Sequence, residues 1–450
     1  MLLINIIGAG HLGKTIGRLL VKNKLVKVGA IFNTSIESSI SAIEFIGEGK
    51  YCTSLDELPA ANITFITTPD DAISSTCETL VTNRFIEKDS IVMHCSGSLT
   101  SDALTSIKKR GCYIASAHPM RSFAKPKLSV EQYSGTYCAL EGDSEALSVI
   151  APLFTSIGSI TYRINRNKKS LYHAAGVFAS NYLVTLSQQA LACLKDADVE
   201  DAMAMQIITN IMRRTVFSLE QTLSPRQSLT GPIQRGDIST IKKHMDSFPD
   251  RTRKKLYSEL GEATLPLTTH DQNKTEAIRI ALKSIQHRDT YYVTRVNETT
   301  QYTANPFFTS MRLTGYRIDN KKSLYQAAGV FASNYLVTLS QQALVCLKDA
   351  GVEDIMAMHI ITNIMRGTVS NLEQTLSPRQ SLTGPIQRGD ISTIKKHMDS
   401  FPDRTRKKLY SELGEATLPL TTHDQNKTEA IKMALKLEEE DILYMSYSFF

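Results

Sequence analysis

The chain has 450 residues, 42% of them hydrophobic and 21% charged, with a formal net charge of +6. This is ordinary globular usage, and at roughly 100–200 residues per domain it leaves room for two to four domains. The positive charge is spread along the chain, with short basic runs at 108–110 and 251–255 that read as solvated helix faces, and no run of about 18 apolar residues stands out, so neither nucleic acid nor a membrane is an expected partner.

The first residues are apolar without a preceding basic segment, so Leu2–Ile7 reads as a first strand and not as a signal peptide. Further strand candidates are Val26–Phe32, 63–67, 90–94, 112–116 and 136–140, with helical stretches near 12–22, 35–47, 71–83, 100–109 and 144–156. Strand and helix alternate, which predicts an α/β domain over residues 1–160 built on a mostly parallel, doubly wound sheet of the Rossmann type.

The first turn reads Gly8-Ala9-Gly10-His11-Leu12-Gly13, between an apolar strand and a helix. In that context the motif binds a dinucleotide: Gly8 allows the tight turn, Gly10 leaves room for a diphosphate, Gly13 lets helix and strand approach, and free N–H groups at the helix start meet the anion. The second strand ends in Asn33, Thr34 and Ser35, with no acid before Glu37. An acid at that position would bind a ribose 2′-hydroxyl, so its absence favours NADP and leaves NAD as the alternative. Strand ends at this edge line the ligand crevice, which adds the Thr68-Pro69 backbone and the turn holding Ser96 and Gly97 as cofactor contacts; Asp70 is expected to cap the next helix. His118, at another strand end beside Pro119, is a candidate proton donor or ligand.

From residue 161 onward helix formers dominate, and the sequence repeats itself. Residues 168–283 match 321–436 without a gap, at an offset of 153 (321 − 168), with ten mismatches in 116 positions. A whole domain is therefore present twice, which divides the chain into a helical copy one at 161–284, a connector at 285–315, a helical copy two at 316–436 and a tail at 437–450. In copy one, His173, Ser180 and Asn181 are seven and eight residues apart, about two helical turns, and are expected to line one elongated site. Arg235, in the turn Leu229-Thr230-Gly231-Pro232-Ile233-Gln234-Arg235-Gly236-Asp237, is a candidate for holding a carboxylate or phosphate, and Asp237 suits a helix N-cap. Copy two has Gln326 where copy one has His173, and so lacks an acid–base group there. The near-identity of the copies predicts either that they pair within the chain or that the protein is a homo-oligomer.

Together, GAGHLGKTIG at 8–17, HCSGSL at 94–99, HPMRSF at 118–123, YHAAGVFASNY at 172–182 and LTGPIQRGD at 229–237 resemble the bacterial Rossmann-like proteins that carry the domain of unknown function 2520. These are similar in layout to pyrroline-5-carboxylate reductase, ketopantoate reductase and 6-phosphogluconate dehydrogenase. The resemblance implies a helical domain set against the Rossmann domain, with nicotinamide and a small-molecule substrate in the cleft, and with His173, Ser180 and Asn181 facing the nicotinamide.

The expected function is then hydride transfer between nicotinamide and a small carbonyl, imine or alcohol, with NADP preferred. His173 would act as acid or base, Ser180 and Asn181 as substrate hydrogen bonders, His118 as an auxiliary acid and Arg235 as a substrate ligand. The alternative is a non-catalytic NADP(H)-binding or scaffold protein, favoured by the duplication and by the lack of an evident catalytic lysine at helical spacing. The seven cysteines, odd in number and without a CxxC pair, read as reduced thiols in a cytoplasmic protein, and no metal site is expected.

Overall fold

A computed structural model describes residues 1–121, 123, 125–283 and 321–437. The connector expected at 285–315 and the tail after 437 lie outside the described residues.

The N-terminal domain is an eight-stranded sheet in the order β3-β2-β1-β4-β5-β6-β7-β8. The strands are β1 (Leu2–Ile7), β2 (Val26–Phe32), β3 (Lys50–Tyr51), β4 (Ile63–Ile66), β5 (Ile91–His94), β6 (Tyr113–Pro119), β7 (Tyr137–Gly142) and β8 (Ile160–Arg163). All adjacent pairs are parallel except β6 with β7. Around them lie α1 (His11–Lys22), α2 (Ile36–Ile46), α3 (Asp70–Thr82), α4 (Thr105–Lys108), α5 (Pro126–Glu131) and α6 (Ser144–Ser156). Every residue of β4 and β5 is buried, the pattern of a parallel strand covered on both faces. Two strands escape the sequence pattern for a physical reason: β3 has two residues, and β8 is a short, half-polar edge strand.

Copy one runs through α7 (Lys169–Gly176), a π-helical turn (Val177–Asn181), α8 (Tyr182–Asp196), α9 (Asp201–Thr222), α10 (Pro225–Ser228), α11 (Gly231–Arg235), α12 (Ile238–Ser247), α13 (Arg251–Thr264) and α14 (Gln272–Lys283). Copy two repeats it: α15 (Lys322–Gly329), a π-helical turn (Val330–Asn334), α16 (Tyr335–Asp349), α17 (Asp354–Thr375), α18 (Pro378–Ser381), α19 (Gly384–Arg388), α20 (Ile391–Ser400), α21 (Arg404–Thr417) and α22 (Gln425–Leu435). The expected caps form: Asp237 and its twin Asp390 each accept from the backbone N–H three residues on.

The copies embrace as a pseudo-dimer. Helix α9 packs on α17, α13 on α21, α7 on α16 and α20, and α8 and α12 on α15. One continuous hydrophobic core runs through both copies and reaches Met120 and Ala139 of the N-terminal domain. Polar contacts across the seam come in reciprocal pairs. Tyr182 Oη donates to the Tyr410 carbonyl and Tyr335 Oη to the Tyr257 carbonyl, both at 2.8 Å, while Lys255 pairs with Glu412 and Lys408 with Glu259. By length and composition α15 through α16 (Lys322–Asp349) is apolar enough to cross a membrane, with a mean hydropathy of 1.3, although 78% of that window is buried within the shared core. Such burial is the pattern of a core helix.

Candidate functional site

The sheet reverses direction of travel at β1, where β2 lies on one side and β4 on the other, and the crevice beyond those strand ends is where open α/β sheets bind ligands. The glycine loop enters it directly. Gly8 has φ +78°, and a Cβ on it would sit 2.6 Å from Thr68 Cγ2, so only glycine fits the turn. A Cβ on Gly13 would sit 2.4 Å from Thr67 Oγ1, which fixes how closely α1 meets β4. Gly10 differs: around its Cβ direction only the Gly8 carbonyl comes near, at 3.9 Å. It also starts α1, whose first turn has no capping side chain and no acid.

The rest of the crevice is pre-set. Asn33 Oδ1 accepts from the Ala9 N–H at 2.6 Å, so this side chain shapes the loop and its carbonyl is not free for a cofactor. Ser35 caps α2 by accepting from Ser38, while Thr34 and Ser35 remain exposed. His11 Nδ1 bonds the Phe123 carbonyl at 2.9 Å, and Leu12 packs against the sheet core. Thr68 Oγ1 is buried without a partner beside the loop, and Pro69 is the N-cap of α3. Asp70 is not a cap. It sits inside α3 and accepts from Ser96 Oγ and Ser98 Oγ, each at 2.7 Å, because the serines of the β5 turn face it across the crevice. Burial works to raise the Asp70 carboxyl, but those two hydrogen bonds, with His173 and Arg388 nearby, hold it below its ordinary range.

Above this turn the two predicted histidines meet. A Cβ on Gly97 would lie 2.4 Å from His173 Cδ2 and 2.8 Å from His118 Nε2, so both rings close over Gly97. Their centroids are 5.7 Å apart, and His118 Nδ1 bonds Tyr172 Oη at 3.1 Å. Burial pushes the His173 imidazole down to about 4 against the pull of Asp70. Burial, followed by His173 itself, takes His118 well below its ordinary value. Burial thus favours the neutral form of both rings.

Besides the Asp70 cap, three expected site residues lie elsewhere. Ser180 and Asn181 do not line the cleft with His173, because the π-helical turn at Val177–Asn181 resets the phase of the helix just after His173. Asn181 Nδ2 donates to the Thr383 carbonyl at 2.8 Å, and Asn334 does the same to Thr230 at 2.7 Å. Ser180 Oγ accepts from Thr368 Oγ1 at 2.9 Å. Both residues are seam contacts between the copies. Arg235 does not share the crevice with His173. Helix α12, which follows it, packs on α15, whereas α20 packs on α7, so its twin Arg388 is the arginine whose charge reaches His173, His118 and Asp70.

Several site residues carried no sequence signal of their own. From copy two, His397 Nε2 shares a 2.8 Å hydrogen bond with His173 Nδ1, and Thr393 Oγ1 shares one of 3.0 Å with Ser98 Oγ. Lys169, one turn before His173, is 2% exposed; its ammonium donates to Ser116 Oγ and to Glu141 at 3.0 Å. Glu141 in turn accepts from the backbone and hydroxyl of Ser101. Burial lowers Lys169, and Glu141 opposes that shift. Lys169 is thus held in a buried ion pair that ties α7 to the sheet.

Residues 136–264 and again 290–417 match the model of a domain of unknown function, DUF2520, and residues 1–119 match a Rossmann-like domain. The chain belongs to the DUF2520 family. Among solved structures, this DUF2520 chain is similar to protein TM1727 of Thermotoga maritima, at 25% identity and a TM-score of 0.46, covering 62% of this chain and 98% of the other. It is also similar to a Bacteroides fragilis protein offered by name as an NADP oxidoreductase, at 19% identity and a TM-score of 0.48, covering 59% and 98%. A pyrroline-5-carboxylate reductase of Coxiella burnetii follows, at 13% identity and a TM-score of 0.40, covering 62% and 96%. No curated protein matches the sequence.

Proposed function

We propose that this DUF2520 protein is an oxidoreductase that uses NADP in preference to NAD and acts on a small carbonyl, imine or alcohol in the cleft between the Rossmann-like domain and the helical pair. The observation that carries this reading is the Gly10 cradle, open at the start of α1, on the same crevice as two neutral histidines closed over Gly97. The residues present fit a dinucleotide: the cradle takes the diphosphate, the orphaned Thr68 hydroxyl has a use beside it, and exposed Thr34 and Ser35, with no acid before Glu37, suit a 2′-phosphate. When bound, the nicotinamide supplies or takes up the hydride.

The chain's own residues would then hold the substrate. A neutral imidazole can polarise a carbonyl by donating an N–H, or take the proton of an alcohol through its lone pair. His173 is placed for this, with His118 beside it. Arg388 adds positive charge facing Asp70, and replaces Arg235 as the candidate for holding a substrate carboxylate. Asp70, Ser96 and Ser98 form a rigid floor. All seven cysteines are buried and unpaired, which supports a reducing compartment such as the cytoplasm.

A non-catalytic NADP(H)-binding scaffold is the second reading, favoured by the commitment of Ser180 and Asn181 to the seam. NADPH oxidation across a panel of keto acids, imines and aldehydes separates the two. The enzyme reading expects turnover on at least one member, lowered about 10²–10⁴-fold by His173→Gln with unchanged NADPH affinity. Saturable NADPH binding with no turnover on any member supports the scaffold.

A further inference from the structure

The two copies carry the same buried pair on the same helices. His244 Nδ1 meets Tyr257 Oη at 2.8 Å, and His397 Nδ1 meets Tyr410 Oη at 2.7 Å. Sequence and local packing are alike, yet the outer ring nitrogens differ. His397 Nε2 bonds His173. His244 Nε2 is buried without a well-formed hydrogen bond, with exposed Gln326 as its neighbour. Among the described residues the one N-terminal domain lies on the His173 side.

We infer that copy two completes the site across the pseudo-dimer: His397, braced by Tyr410, fixes the ring orientation and tautomer of His173, and Thr393 latches the Ser98–Asp70 floor, so one chain is a built-in dimer with a single working site. This rests on the proposed reading of His173 as the group that meets substrate. His397 is a positioning residue; it does not itself reach the reacting atoms.

The physical reason is the pairing rule for neutral imidazoles. Two neutral rings share a hydrogen bond only if one presents N–H and the other a lone pair. If Tyr410 donates to His397 Nδ1, then His397 Nε2 carries the proton and donates to His173 Nδ1. His173 Nε2 then bears N–H toward the Gly97 turn. With the opposite polarity both bonds reverse, and His173 Nε2 offers a lone pair. Either way His173 is held in one tautomer. The other charged or titratable groups facing His173 are Asp70 on α3, His118 at the end of β6, Lys169 on α7, and Arg388 and Asp390 beside α20. Among the described residues, His397 is the hydrogen-bond partner of its Nδ1.

The duplication provides a matched control. Imidazole ¹⁵N correlation spectra of the full chain, with His173 assigned by the signal lost in His173→Gln, report the tautomer directly. The parent should show His173 as one tautomer. His397→Phe should convert that pattern to a mixture of two, while His244→Phe, which removes the same ring from the same surroundings in copy one, should leave it unchanged. If His397→Phe does not fold, Tyr410→Phe and Tyr257→Phe repeat the comparison by removing one hydroxyl each. An unchanged His173 signal in His397→Phe or Tyr410→Phe, or an equal change in the copy-one variants, would overturn the inference. These spectra need no substrate, so the result stands apart from whether His173→Gln alters turnover.

Discussion

Replacing Gly10 by alanine should separate nucleotide binding from stability. The Gly10 backbone has φ −75°, which alanine adopts, and its Cβ would point into open space with only the Gly8 carbonyl near, at 3.9 Å. The unliganded variant should therefore keep its stability within about 0.5 kcal/mol. That same Cβ would occupy the space over the free N–H groups of α1 where the diphosphate is proposed to lie. At NADPH 100-fold above its Kd, the parent gains about 2.7 kcal/mol, and a site weakened tenfold keeps about 1.4 kcal/mol at the same concentration. For a domain of this size a kilocalorie shifts the melting temperature by roughly 2–4 °C. Thermal denaturation with NADPH should thus give the parent a shift of roughly 5–11 °C and Gly10→Ala half of that or less. Gly13→Ala is the contrast. Its Cβ collides with Thr67 Oγ1 at 2.4 Å, so it should cost about 1–3 kcal/mol without ligand and retain the nucleotide increment. If Gly10→Ala kept the full NADPH shift, the diphosphate would not lie over this loop and the cofactor reading would lose its basis.

Asn181→Ala and Asn334→Ala should each destabilise by about 0.5–1.5 kcal/mol, equally and with NADPH affinity unchanged, in urea titrations, because each removes a part-buried hydrogen bond across the seam. Loss of turnover without loss of stability in Asn181→Ala would return that residue to the substrate site. Acid should weaken the protein through His94, whose ring is buried between the Thr100 carbonyl and the Ser96 N–H. Burial, helped by Lys169, takes it down to about 3, whereas the unfolded ring protonates near 6.5. Below pH 6.5 the unfolded state therefore binds the extra proton, and stability falls by up to about 1.4 kcal/mol per pH unit toward pH 3. His94→Gln should flatten the dependence of the urea midpoint on pH by that amount, and an unchanged slope would show that His94 is not held neutral. Finally, a chain ending at residue 315 lacks the partner of its self-complementary face and should dimerise, which sedimentation would show; a stable monomer would contradict the mutual dependence of the copies.

Much of the N-terminal domain was legible because its signals are local. Apolar runs mark buried parallel strands, and a glycine loop after a strand marks the crevice, both readable without tertiary knowledge. His118 and His173 were nameable from the sequence because strand ends and a small-residue helix are informative places, and their rings close together over Gly97. The errors have one common origin. Spacing along an ideal helix grouped Ser180 and Asn181 with His173, but a π-helical turn intervenes, and nothing in Val-Phe-Ala-Ser-Asn announces it. The site also draws Thr393 and His397 from more than 200 residues away, and sequence separation hides such partners. The repeat could have raised the right question, since two near-identical copies invite two-fold pairing, and pairing implies exchange of parts. Arg235 illustrates the cost of stopping short: its twin in copy two, Arg388, is the arginine whose charge reaches His173.

The duplication shows how identical sequence can do different work. Only one of the ten differences between the copies, His173 against Gln326, falls at the site; Arg388, Asp390, Thr393 and His397 all have the same residue in copy one. Their roles diverge because α20 packs beside α7 under the sheet, and α12 packs beside α15, where no sheet lies. The contacts made at these positions are therefore set by neighbours and not by residue identity. It follows that copy two cannot be a spare. Its helices complete the core of copy one, its asparagine and tyrosine hydroxyl satisfy copy-one carbonyls, and its histidine meets the one ring in the cleft that copy two itself has lost.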